Sequence, residues 1–291
     1  MNWYQRFTQG QWQTQTTPAW SSVVGDDFVK TIMDWNITDD FHAKQGRSTG
    51  RLVMNDGELL VYLKRHWQLP LMNRVLACFY PKGRWTPAVE EWQNLLTAQN
   101  QGIAVPEPLA VGQRIGPGLQ LQSFLVIREL TGMLPLHQAI PLACSIMSSV
   151  AFSSWKRQLL SEVTAIARRL HSMNYFHKDL YLCHYYVEKP MKTDRSPGPL
   201  KLIDLHRFAQ HRLFGWRWQI KDVAQLVFST YGVSGLDDRD REFILQAYRG
   251  TETRTARDRW FESSVRFKAH RYARHNAVEE TMSQASTGKA A

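Results

Sequence analysis

Cysteine is scarce. Cys78, Cys144 and Cys183 are odd in number and far apart, and no two form a CxxC pair. That argues against a disulfide framework and against a zinc site built on paired thiolates, and it fits a reducing compartment. Long apolar runs are missing as well. The longest weakly polar stretch, PLACSIMSSVAF, is shorter than the ~20 residues that cross a bilayer as a helix. The opening MNWYQRFTQGQW has no basic segment leading into an apolar one, so no secretory leader is expected there and the chain reads as cytoplasmic. Repeats and low-complexity bulk are absent. Acids are the minority charge: 26 Asp and Glu against 36 Lys and Arg, a formal net charge of +10. Such a field attracts phosphates of any kind, whether on nucleic acid, an anionic membrane surface or an acidic glycolipid. No zinc motif or recognition helix supports nucleic acid, and none is expected as a partner.

What is present is a chain of 291 residues, enough for one large domain or two lobes. Residues 1–40 are Trp-rich and read as an N-terminal extension with no clear element. FHAKQGRSTGRLVMNDGELLVYLKRHW reads as strand, glycine-bearing turn, strand, NDG turn and strand. TPAVEEWQNLLTAQNQGI reads as a helix, with Val89, Trp92, Leu95 and Leu96 on one face and Gly102 as its C-terminal stop. VPEPLAVGQ and LQSFLVIREL read as further strands. The character changes near Gly132. WKRQLLSEVTAIARRLHSM has Leu159, Leu160, Val163, Ile166, Ala167 and Leu170 in helical register. A Pro/Gly-rich hairpin, EKPMKTDRSPGP, and two more helices follow. The expected fold is α+β and two-lobed: residues 41–132 form a small antiparallel β-rich lobe, 133–275 a larger, mainly helical one, and 276–291 a flexible tail.

The residues that could carry chemistry come in a telling order. Gly46 and Gly50 in QGRSTGRLV could let backbone amides approach phosphates, although two glycines in a hairpin are more often only a turn. Lys64, or its neighbour Arg65, ends an alternating strand and could hold phosphates; the bland reading is a solvated edge cation. Glu91, or Glu90 about 100° round the helix, could position that cation. Asp179 in HKD could accept the proton of an attacking hydroxyl, with His177 bracing the loop. Asp204 closes LKLID and could hold Mg²⁺, which prefers hard oxygen ligands. Asp222 reads either as a helix cap or as an acid that holds the HKD loop by its amides. Each is weak alone. In this order, on these elements, they resemble a protein-kinase-like phosphotransferase using ATP and Mg²⁺.

The details depart from protein kinases. His184 stands five places after Asp179 where an Asn is usual, Lys178 replaces an Arg, and Leu205-His206 replaces Phe-Gly. Asp222 follows Asp204 by only eighteen positions, too few for a peptide platform. HKDLYLCHYYV, LKLIDLHRF, YLKRHW, EEWQNLL and the KDVAQLVFS helix together resemble the lipopolysaccharide core kinases, the Kdo/heptose kinase family, from about Phe41 to Tyr231. That resemblance implies a kinase-like fold and transfer from ATP with Mg²⁺ to a sugar hydroxyl of the lipopolysaccharide inner core, at the cytoplasmic face of the inner membrane. It implies Asp179 as base, Asp204 as metal ligand and Lys64 with Glu91 as the phosphate-positioning pair. His184 would either meet a metal or act directly at the phosphates. Arg254, Arg257, Arg259, Arg266, Lys268, Arg271 and Arg274 read as a surface for anionic lipid or core phosphates, or simply as a solvated helix face. The other readings are a kinase-like enzyme on another hydroxyl compound and a non-catalytic kinase-like binding module.

Overall fold

The computed structural model describes residues 10–25, 27–35, 46–54, 57–79, 84–194 and 196–287. The Trp-rich opening already contributes to the sheet. Strand β1 (Gln13–Thr16) is followed by a short helix, α1 (Pro18–Val24), started by a proline where the absent N–H costs nothing. Strands β2 (Arg47–Met54) and β3 (Leu59–His66) pair antiparallel along their whole length, Arg47 opposite His66 and Met54 opposite Leu59. The strand read at Phe41–Gln45 lies outside the described residues, as do Asn55 and Asp56 of the NDG turn. Helix α2 (Leu71–Phe79) was not anticipated. Helix α3 (Pro87–Asn100) starts at Thr86, whose hydroxyl accepts the Val89 N–H, and stops as read, with Gly102 in the left-handed region. Strands β4 (Pro108–Gly116) and β5 (Gln120–Arg128) complete an antiparallel sheet of order β1-β4-β5-β3-β2.

Trp20, Phe28 and Ile32 from the opening segment are buried with Leu59, Val61, Leu63, Leu109, Phe124 and Val126 of the sheet. Fully burying one such side chain is worth about 2–3 kcal/mol. The first residues therefore help to hold the sheet.

The chain divides into two compact units: Met1–Thr131 with Asp204–His206, and Gly132–Ile203 with Arg207–Ala291. In the second unit, β6 (Met133–Pro135) leads into α4 (Leu136–Ile146) and the long α5 (Ser149–Ser172). Ser148 caps α5 by accepting the Ala151 N–H at 3.3 Å. The helix buries Leu159, Leu160, Val163, Ala167 and Leu170 on one face. Strand β7 (Tyr175–Phe176) pairs with β10 (Ala209–Gln210), and β8 (Tyr185–Glu188) lies between β6 and β9 (Lys201–Leu202). Helices α6 (Gly215–Phe228), α7 (Asp238–Arg249) and α8 (Ala256–Thr287) follow. The last runs well past the tail expected after residue 275, because no glycine or proline interrupts the chain before Gly288.

Candidate active site

In the first unit the pleat of β3 decides between two adjacent cations. Lys64 points to α3, where its Nζ donates to Glu91 Oε1 at 2.7 Å and stands 3.5 Å from Asp204 Oδ1. Arg65, on the opposite face, donates through Nη1 to the carbonyls of Ile32, Met33 and Trp35 at 3.2, 2.8 and 2.8 Å. Glu90 is exposed, whereas Glu91 is buried on the α3 face that carries Trp92 and Leu95. Burial works against the Lys64 ammonium, yet Glu91 and Asp204 outweigh it and hold Lys64 above its ordinary value.

Asp204 adopts φ 62°, a left-handed conformation that a non-glycine residue keeps only when its surroundings hold it. Three groups do so. His206 Nδ1 donates to Asp204 Oδ1 at 2.9 Å, Lys64 lies on the same oxygen, and Asn94 Nδ2 of α3 donates to the Leu205 carbonyl at 2.8 Å. Glu91 and Asn94, three apart on α3, thus bind the lysine and the segment after Asp204 from one helix face. The hydrogen bond to Asp204 raises the His206 pKa, with the charges of Asp204 and Glu91 adding and burial and Lys64 opposing.

The glycines separate. Gly46 has φ 74° in a turn, and its carbonyl accepts the Trp67 N–H at 2.9 Å. Gly50 does not belong to that turn. It is buried within β2 opposite Leu63, because the ladder with β3 is unbroken from Arg47 to Met54.

In the second unit the HKD loop is held from below by Asp222. Its Oδ2 accepts the His177 N–H at 2.9 Å and His171 Nε2–H at 3.2 Å, and its Oδ1 accepts the Lys178 N–H at 2.8 Å. Asp222 is therefore no helix cap: α6 begins at Gly215, and Asp222 is buried inside it. Tyr248 OH lies 2.7 Å from His171 Nδ1, and its pKa is pushed up by burial and then by Asp222. Lys178 takes φ 68°, and His177 Nε2 donates to the Ile203 carbonyl at 3.0 Å. The loop before Asp179 is thus fixed by a carboxylate, two histidines and a strained residue.

Asp179 itself meets three donors. Arg207 Nη1 lies 3.2 Å from Oδ1 and 3.1 Å from Oδ2, Gln225 Nε2 donates to Oδ1 at 3.3 Å, and Lys221 Nζ lies at 3.8 Å. Lys221 also donates to the Lys178 carbonyl. Burial lowers the Lys221 pKa; Asp179 opposes this and Arg207 adds to it. His184 Nδ1 donates to the Asp179 carbonyl at 2.6 Å, which in the neutral ring leaves the lone pair on Nε2. Phe176, Leu180, Leu182 and Tyr185 are fully buried, so most of this aromatic-rich stretch is core.

Sequence reasoning did not single out Asn94, His171, His206, Arg207, Lys221 or Gln225. A signal existed for the last two. Lys221, Gln225 and the capping Ser229 recur every fourth residue along and just past a helix that otherwise buries Val223, Ala224, Leu226 and Val227, and Ser229 Oγ accepts the Leu182 N–H at 2.9 Å. The basic set near the C-terminus is partly neutralised. Arg254 pairs with the buried Glu262, and Arg266 pairs with Glu242, so neither is an unengaged surface charge.

As for a metal, the carboxylate of Asp204 supplies the hard oxygen that Mg²⁺ takes, while the imidazole of His184 suits it poorly. No group of three or more His, Cys, Asp or Glu side chains suited to a metal occurs among the described residues.

The profile of the lipopolysaccharide kinase (Kdo/WaaP) family matches residues 38–248. The lipopolysaccharide core heptose(I) kinase WaaP of Pseudomonas aeruginosa is 29% identical over 172 residues, which are 55% of this chain and 59% of that relative. Its Escherichia coli namesake is 26% identical over 161 residues, again 55% and 59%. The matched stretch thus spans about three fifths of these relatives' own length. A solved structure of WaaP in complex with acyl carrier protein superimposes with a TM-score of 0.66 at 22% identity, covering 89% of this chain and 98% of that one. The α+β architecture expected from the sequence is the one found, and the chain shares its fold with that WaaP structure.

Proposed function

The chain belongs to the lipopolysaccharide kinase (Kdo/WaaP) family, and on that footing we propose that it transfers the γ-phosphoryl group of ATP to a sugar hydroxyl of the lipopolysaccharide inner core. Heptose comes before Kdo as the acceptor, because the relatives are named for it. The observation that carries the reading is Lys64 held by Glu91 at 2.7 Å, with Asp204 at 3.5 Å: a cation and a hard-oxygen carboxylate set together on one unit.

In this reading Lys64 binds the α- and β-phosphates and Glu91 keeps it extended. Asp204 would hold Mg²⁺, which when bound offsets phosphate charge. Gly46 gives the turn ahead of β2 its backbone freedom. Asp179 accepts the hydroxyl proton as the sugar oxygen bonds to the γ-phosphorus and the bond to the β–γ bridging oxygen breaks, releasing ADP. Lys221 and Arg207 orient Asp179 and meet the charge of the transferring group. His177 and Asp222 hold the loop. His184 fixes the Asp179 carbonyl and acts at the phosphates rather than as a firm metal ligand. An acyl carrier protein is the first protein partner to test, given the related complex. The cytoplasmic face of the inner membrane is the proposed place of action. No helix among the described residues is long and apolar enough to cross a membrane.

The test is phosphate transfer from labelled Mg-ATP to purified inner-core lipopolysaccharide. Transfer by the native protein should fall by at least about 100-fold in Asp179→Asn, the scale of a lost general base. Nucleotide binding without transfer would move the reading to another hydroxyl acceptor. Loss of both in folded native protein would make the chain a binding module.

A further inference from the structure

Helix α2 turns its apolar side outward. Leu71, Met72, Val75, Leu76 and Phe79 are 61%, 69%, 38%, 46% and 75% exposed. Their spacing puts them on one stripe of a nine-residue helix. The opposite side is narrow and anchored. Ala77 is buried beside Leu69, Trp85, Ile115 and Leu121, and Asn73 Nδ2 donates to the Trp85 carbonyl at 3.3 Å. The helix is therefore fixed to its unit by one edge while five large apolar side chains meet water. Single exposed apolar residues need no explanation, but a contiguous patch of a few hundred Å² marks an interaction site.

Charge and size together indicate the occupant. From Leu59 to Val89 the sequence holds no Asp or Glu. Lys64 and Arg65 are engaged within the unit, and the cations beside the stripe are Arg74 of α2 itself and the exposed Arg84. Nothing in this stretch repels an anionic surface. A stable protein interface takes about 800 Å² from each partner, more than a helix of this length can offer. An interfacial helix needs only a short apolar face, ringed by cations, sunk to the boundary of headgroups and acyl chains. We propose that α2 docks the protein in the plane of an anionic lipid bilayer, with Leu71, Met72, Val75, Leu76 and Phe79 inserted and the neighbouring cations at the headgroups. The inference stands apart from the phosphotransfer reading, since docking needs neither nucleotide nor acceptor.

The experiment is co-sedimentation of the full chain with vesicles of phosphatidylethanolamine and phosphatidylglycerol, set against neutral phosphatidylcholine vesicles. Native protein should sediment with the anionic vesicles. The double variant Met72→Gln/Phe79→Gln, changed only at exposed positions, should partition at least about tenfold less while keeping its unfolding transition. Amide hydrogen exchange on the native protein serves if that variant misfolds: vesicles should protect Leu71–Phe79. Equal sedimentation of a folded variant, absence of protection over α2, or failure of the native protein to bind anionic vesicles would overturn the proposal. So would a native dimer that the double variant turns into a monomer, which would make the face a protein interface.

Discussion

Lys221 illustrates what a residue can do without belonging to a motif. It reaches Asp179 from a helix rather than from the HKD loop, and burial already disfavours its charge. A cation kept partly desolvated beside Asp179, the proposed base, gains most when a negatively charged group arrives. Lys221→Met keeps the length of the side chain and removes the charge. It should lower kcat by about 10²- to 10³-fold, with the KM for ATP nearly unchanged, and Lys221→Arg should recover part of the loss. Steady-state kinetics with varied ATP checks this. A rise in KM with kcat intact would instead make Lys221 a ground-state binding residue. Asp179, Asp204 and Asp222 were legible because motif order limits what an acid at each place can do. Arg207 was not, because its partner is set by tertiary packing that no local spacing reveals, and the spacing of Lys221 with Gln225 marks a polar helix face without naming Asp179 as what it meets. Gly50 misled for a related reason: a glycine near a turn resembles part of it until the strand register is known.

Strand β3 shows how an element sorts adjacent residues. Lys64, Arg65 and His66 are consecutive, yet they meet an acid, three backbone carbonyls and a serine hydroxyl. His66 is buried opposite Ser123, 3.2 Å from its hydroxyl. Burial first, then the charges of Arg47 and Lys64, push its pKa down to about 4 from 6.5. The sign follows from linkage. Between these two values the unfolded chain takes up a proton that the folded chain refuses, so stability falls as pH drops through this window and is unaffected above it. The loss between about pH 7 and about pH 5 should be roughly 2 kcal/mol, and His66→Gln should remove that share. Urea unfolding at the two pH values measures it; equal pH dependence in the variant would mean that His66 is not the group responsible. At this scale β2 to β5 were readable from alternation and turn residues. Helix α2 was not. Its apolar stripe faces water, the reverse of the rule on which such readings rest, and it is too short to show a period clearly.

At the scale of the whole molecule, two forces act on a charged surface in different ways. The net charge of +10 draws the protein to any anionic bilayer, and salt screens that attraction over a Debye length of about 10 Å at 0.1 M. Burial of the α2 side chains depends on apolar area, which salt does not screen. The two separate on raising the ionic strength from about 0.05 M to about 0.5 M while vesicle binding is followed. Native protein should lose part of its binding and keep a salt-resistant remainder. Met72→Gln/Phe79→Gln should bind at low salt through charge alone and lose nearly everything at high salt. Charge reversal at the exposed Arg84, Arg84→Glu, should do the opposite: weaker binding at low salt and an unchanged remainder at high salt. A native curve that falls to nothing with salt would leave charge as the only force, because an inserted helix face cannot be removed from the bilayer by screening.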